Sequence, residues 1–396
     1  MPNIKLIFSH IAVLIVGFAI GFLLINFTRS ATAANATIPF HSPASPNATG
    51  SLITLNGQHT AIAVEEDNLV PLQPLMAALG GTATWYEPTR EIQITHNLQT
   101  ISARPNIRSA TIDRREITLS TPVRIIEGRA MVTLCFITRY MGLGLGFFNN
   151  TVVITTETTD NIPVLVYHHI LPDEQNTRMR DNPWVVSAEN FAEQMRYLYQ
   201  NGFYPVTLCD MEHFLFHGRN LPANSVMIHF DDGYYSNFVY AAPIMRQYGM
   251  RGQIFIITAE VEALGETQPP MDYDRLIFSA AHTIAAGTDV FECASHSHDL
   301  HNRVYGGTET RLAVAMREVI VEDTIRSFDF VTNHRAYVFP QGQYNEYVIN
   351  ALQDAGIVMA FRGGEAFINR DSSPLSLPRF TVYNTTIIEE FRGMVR

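Results

Sequence analysis

The sequence predicts an α/β protein: a distorted (β/α) barrel, preceded by a small duplicated α+β domain and an N-terminal transmembrane helix. Three observations predict it. Apolar strand-like runs alternate with helical ones from Val164 to Phe361, which implies a parallel sheet or barrel. An apolar pattern near Val70 returns about 60 residues later, the mark of an internal repeat. From Ile4 to Phe27 only Lys5, Ser9, His10 and Asn26 are clearly polar, and about 20 apolar residues suffice to span a bilayer.

The chain of 396 residues divides on this reading into four parts. Residues 1–29 form the membrane anchor. The apolar run is longer than the core of a cleavable signal peptide, which favours an uncleaved anchor, although Ala31-Thr32-Ala33 and Ala34-Asn35-Ala36 are candidate cleavage sites. Either outcome places the remainder outside the cell: at the membrane through a single-pass helix, or secreted. Residues 30–51 are rich in Ser, Thr, Ala, Asn and Pro and read as a flexible linker.

Residues 52–157 carry the repeat. Val70-Pro71-Leu72, Leu79-Gly80, Trp85-Tyr86 and Ile92-Gln93-Ile94-Thr95 are echoed by Val132-Thr133-Leu134, Met141-Gly142, Phe147-Phe148 and Val152-Val153-Ile154-Thr155. Each copy predicts a short helix ending at Gly and then a two-stranded hairpin. The pattern resembles the N-terminal domain of copper amine oxidases, which implies a spacer or wall-contacting module. His59 and His96 are isolated and offer no copper site.

Residues 158–396 hold the alternating runs. Strands are predicted at Val164–Tyr167, Phe203–Val206, Val226–Phe230, Ile254–Ile257, Val290–Cys293, Ala336–Phe339 and Val358–Phe361. Helices are predicted across Ala188–Gln200, Val239–Tyr248, Tyr273–Ala286, Thr308–Phe328 and Asn345–Ala355. In such barrels chemistry sits where strands end. Net charge is −11, which argues against a nucleic-acid partner. Cys135, Cys209 and Cys293 are few and scattered, so neither a disulfide framework nor a Cys metal site follows.

Four strand ends carry polar clusters. Val226-Met227-Ile228-His229-Phe230 runs into Asp231-Asp232-Gly233. Adjacent carboxylates repel, so either a metal ion held by one of them or a solvated turn accounts for the pair. Ser295-His296-Ser297-His298-Asp299-Leu300-His301 brings three His into a span of six residues, and an Asp with two His leaves coordination positions open for water and substrate. Tyr167-His168-His169 ends a third strand, and Phe339-Pro340-Gln341-Gly342 a fourth, with Pro340 expected to shape a cleft wall. Arg379, in Leu377-Pro378-Arg379-Phe380, has two candidate partners: a carboxylate of the site or a surface acid.

His229 to Gly233, Ser295 to His301 and Phe339 to Gly342 resemble the motifs of the polysaccharide deacetylases, carbohydrate esterase family 4, over roughly residues 160–390. The wide His-Ser-x-x-x-His spacing and the opening Val166-Tyr167-His168-His169 resemble the branch with poly-N-acetylglucosamine deacetylases. The Arg usual in the family's third motif is absent, and Val338 and Phe339 stand in its region. The resemblance implies a hydrolase with Asp232, His296 and His301 on a divalent metal, Zn²⁺ or else Co²⁺ or Ni²⁺. It implies Asp231 as general base and His168 as general acid, with His169 next in line. Tyr234 would supply a backbone N–H to the oxyanion, and Arg379 would replace the missing Arg beside the base. The implied substrate is an amino-sugar polymer: peptidoglycan, an exopolysaccharide or chitin-like oligomers. O-acetyl ester hydrolysis is the alternative, and an inactive wall-binding module a further one; no protein partner is implied.

Overall fold

The computed structural model describes residues 48–148 and 150–396. The predicted membrane anchor and nearly all of the linker lie outside the described residues. Among the described residues no helix is long and apolar enough to cross a membrane.

The duplicated region builds its own core, drawn from residues between Ala48 and Ile154. Each repeat gives a strand, a short helix and a hairpin. Helix Leu72–Ala78 is followed by Gly80 at φ 71°, and helix Leu134–Met141 by Gly142 at φ 72°, the left-handed stop that glycine takes without a Cβ penalty. Strands Leu69–Pro71 and Arg129–Thr133 pair antiparallel with Val70 opposite Val132. Equivalent positions of the two repeats thus face each other across a local two-fold. The hairpins then diverge. Thr82–Tyr86 and Glu91–His96 extend into a five-stranded sheet, whereas Gly144–Phe148 and Thr151–Thr155 join Leu52–Leu55 and Gln58–Ala63.

The Gly144–Phe148 strand is also where this domain meets the next. The Tyr204 hydroxyl accepts from Phe147 N–H at 2.7 Å and donates to Asp210 at 2.7 Å. Asp210 forms a buried pair with Arg219, and the Arg219 guanidinium covers the Phe147 ring at 5.3 Å. A Cβ on Gly146 would collide with the Tyr204 ring. Gly146→Ala should therefore cost about 1–3 kcal/mol through overpacking, read as a lower Tm; an unchanged Tm would mean that the strand shifts freely.

Beyond residue 158 eight parallel strands form one sheet: β1 (Val164–Tyr167), β2 (Tyr204–Pro205), β3 (Ser225–Phe230), β4 (Gly252–Ile256), β5 (Phe291–Ser295), β6 (Ala336–Val338), β7 (Met359–Phe361) and β8 (Phe380–Thr381). Across the sheet they run β7-β6-β5-β4-β3-β1-β8, with β2 beside the start of β3. Continuous burial along β1, β3 and β4 is what a sheet covered on both faces requires. The sheet does not close by a regular ladder. Residues 377–381 span the gap, with Leu377 bridging Phe361 at one edge and Phe380 pairing with Leu165 at the other. That seam is the distortion in the predicted barrel.

Two helices are shorter than the apolar pattern predicts. Thr308–Phe328 is divided into Arg311–Val314 and Arg317–Ser327, because Ala315 and Met316 are extended. Of Tyr273–Ala286 only Ala281–Ala286 is helical. The preceding residues pair instead with the turn after β3, where Tyr235 N–H donates to Ile277 O and Ser279 N–H to Gly233 O. Tertiary backbone pairing there overrides helix propensity.

Candidate active site

The strand ends converge as parallel register dictates. Tyr167 lies opposite Phe230, so the next residues, His168 and Asp231, emerge side by side. Ile256 of β4 lies opposite Ser295 of β5, which places His296 two strands along from β3. After β3 the alternation of side chains is broken: Asp232 takes φ 71° and Gly233 φ 83°. A non-glycine residue in that region is strained, and such strain concentrates at functional sites. It lets two successive carboxylates serve one cleft.

Asp232, His296 and His301 each offer a ligand atom, and these atoms lie within 4.8 Å of one another. The two imidazole Nε2 atoms stand 3.5 Å and 3.3 Å from Asp232 Oδ1. His296 Nδ1 bonds Val338 O at 2.9 Å, which leaves Nε2 as the lone-pair nitrogen facing the group. Burial pushes the His296 pKa down to about 4. Burial pushes Asp232 up, but a hydrogen bond from His301 and the neighbouring imidazoles outweigh it, leaving the carboxyl at about 2. Two imidazoles beside a carboxylate are a donor set that a divalent transition metal prefers. The residues fit such an ion.

Arg379 takes the first of its two candidate partners. Its guanidinium grips Asp231 with both ends, at 2.7 Å and 2.8 Å, and both side chains are buried. Burial pushes Asp231 up, yet Arg379 and then His296 hold its carboxyl well below the ordinary carboxylate range. His168 Nε2 lies 4.0 Å from Asp231 Oδ2, and its ring packs on Trp184 at 4.5 Å. Tyr234 is buried over the turn; burial first and then the Asp232 carboxylate push its phenol upward.

Together these groups line a cleft of about 370 Å³. His169 also reaches it, but its Nδ1 pairs with Ser236 Oγ, and burial pushes its pKa to about 4. Pro340 does not line the cleft; that wall is made by Phe339, Gln341 and Gly342. Pro340 is buried at the start of the one-turn helix Pro340–Gly342, and Gln341, at φ 54°, is the residue turned outward. His298, the remaining histidine of the Ser295–His301 run, is bound elsewhere. Its Nδ1 pairs with Thr258 Oγ1 at 3.0 Å and its Nε2 with Glu262 at 3.3 Å. Trp184 and Leu276 line the cleft without any sequence signal beyond an apolar residue in a loop. Beneath Asp231, His229 packs between the rings of Phe255 and Phe361.

Residues 218–360 match the polysaccharide deacetylase family and residues 50–156 the copper amine oxidase N-terminal domain. A Staphylococcus epidermidis poly-β-1,6-N-acetyl-D-glucosamine N-deacetylase is 26% identical over 215 residues, covering 52% of this chain and 72% of that protein. The Escherichia coli K12 enzyme of the same name is 25% identical over 238 residues, 53% of this chain but only 35% of that protein. Among solved structures, a de-N-acetylase from Aggregatibacter actinomycetemcomitans superposes with TM-score 0.51 at 19% identity, covering 59% of this chain and 100% of that one. A Streptococcus pyogenes deacetylase superposes with TM-score 0.50 at 19% identity, covering 61% and 100%. At such identity these two speak for a shared fold. The chain carries a polysaccharide deacetylase domain, preceded by a copper amine oxidase N-terminal domain.

Proposed function

We propose that the protein is a metal-dependent hydrolase that removes N-acetyl groups from an amino-sugar polymer, with a poly-N-acetylglucosamine exopolysaccharide favoured over peptidoglycan. The observation that carries this reading is the juxtaposition in one cleft of an Arg-clamped carboxylate, Asp231, with the Asp232-His296-His301 group and His168. The names of the Staphylococcus and Escherichia relatives support the polymer.

Asp232, His296 and His301 would hold the ion, with Zn²⁺ the first candidate and Co²⁺ or Ni²⁺ the others. Such an ion supplies a Lewis acid for the acetyl carbonyl. Asp231 takes a proton from the attacking water, and its clamp keeps it ionised and aimed. His168 delivers a proton to the departing sugar nitrogen. A C–O bond forms, the amide C–N bond breaks, and acetate and a free amine leave. The Tyr234 backbone N–H stabilises the oxyanion. Trp184, 41% exposed at the cleft mouth, offers a flat face to a sugar ring. The apolar residues 4–27 support a membrane-anchored, extracellular enzyme.

Acetate release from β-1,6-linked N-acetylglucosamine oligomers, peptidoglycan and acetylated xylan tests the reading. Release from the oligomers, lost on metal chelation and restored by Zn²⁺, Co²⁺ or Ni²⁺, is the expected result. Release from xylan alone would make the protein an esterase. No release from any would make it a binding module.

A further inference from the structure

His296 and His301 are five positions apart in an irregular loop, so an outside restraint must bend that loop into an arc. The restraint comes from a helix distant in sequence. Asp323 lies on the inward face of helix Arg317–Ser327 and is only 9% exposed. Its Oδ1 accepts from His298 N–H at 2.9 Å and its Oδ2 from Asp299 N–H at 2.7 Å. Each oxygen thus takes one of two successive backbone donors that have no ladder partner in the irregular loop, the His298 N–H being buried. Two successive N–H groups can face one carboxylate because Ser297 just before them adopts φ 72°.

The opposite side of the loop is held as well. Ser297 O and His298 O accept from Thr258 N–H and Ala259 N–H, both at 3.1 Å, and the His298 ring is fixed on Thr258 and Glu262. The middle of the loop is therefore clamped between two elements, and its ends point the His296 and His301 rings at each other with centroids 4.7 Å apart. Among the described residues, Asp323 is the one charged side chain that takes two backbone donors of this loop.

We propose that Asp323 is the positioning residue of the metal group: by gripping the backbone of residues 298–299 it sets the separation of His296 and His301 without touching the ion. The inference rests on the reading of Asp232, His296 and His301 as metal ligands. Outer residues that orient ligands commonly change metal affinity 10–100-fold, and Asp323 acts through the backbone of the loop itself.

The test uses the full chain, stripped of metal and titrated with Co²⁺, with affinity read by calorimetry and coordination by the visible absorption bands. Asp323→Asn keeps the size but replaces one acceptor with a donor facing an N–H. The expected result is a Co²⁺ Kd raised about 10–100-fold and altered absorption bands, in a chain whose circular dichroism remains native. If Asp323→Asn does not fold, Asp323→Glu, which keeps both acceptors on a longer arm, is measured against the same outcomes. A Kd within twofold of wild type and unchanged bands overturn the proposal and leave the metal reading intact. A wild-type chain that binds no Co²⁺ overturns both.

Discussion

Asp231→Asn should lower acetate release by about 10²–10⁴-fold, the contribution typical of a positioned general base, while Asp232, His296 and His301 still bind one metal ion. Asn cannot accept the water's proton, but it preserves the shape of the clamp. It also leaves the Arg379 guanidinium, 5% exposed, without a counter-charge, so a stability loss accompanies the rate loss. The double variant Asp231→Asn/Arg379→Met separates the two, since coupling between contacting residues is what such a cycle measures. Stability should return in the double variant and activity should not. Activity near wild type in Asp231→Asn would remove Asp231 from the chemistry.

Arg379→Ala should cost about 3–5 kcal/mol, the usual consequence of breaking a buried ion pair from one side. With the clamp present, the Asp231 carboxyl titrates below its ordinary value of 3.8. The pair's contribution is therefore present above that value and lost as pH falls below it. Without the guanidinium, burial acts on Asp231 with less opposition and its pKa rises. The Tm difference between wild type and variant should be largest near neutral pH and shrink towards pH 3. The acid limb of kcat/KM should move to higher pH, because the base stays protonated longer. Melts across pH and a pH–rate profile check both signs. A variant with wild-type Tm and an unmoved acid limb would show that the clamp tunes nothing.

The parts of the site that were legible in the sequence are those written in local code. Asp231-Asp232-Gly233 follows an apolar strand directly, and His296 and His301 sit in a dense polar run after another, so strand ends announced them. His168 was legible for the same reason. The residues alone left the partner of Arg379 open, because sequence separation hides which acid a late arginine meets; only the family resemblance pointed it to Asp231. Pro340 was singled out where its neighbour Gln341 does the lining, since a turn's backbone angles decide which residue faces outward. Trp184 and Asp323 carry no local signal: one is an aromatic in a loop, the other an acid on a helix whose value lies in what it faces. The helix at Tyr273–Ala286 was overestimated because periodicity cannot see a competing backbone partner.

The seam at residues 377–381 has a consequence for biogenesis. Asp231 and Arg379 are separated by 148 positions, and the segment that delivers Arg379 also bridges the two sheet edges. A nascent or clipped chain ending before residue 377 would contain Asp231, Asp232, His296 and His301, yet Asp231 would lack its clamp. A nascent chain can therefore assemble the clamp only after residue 379 has been made and residues 377–381 have docked between the two sheet edges.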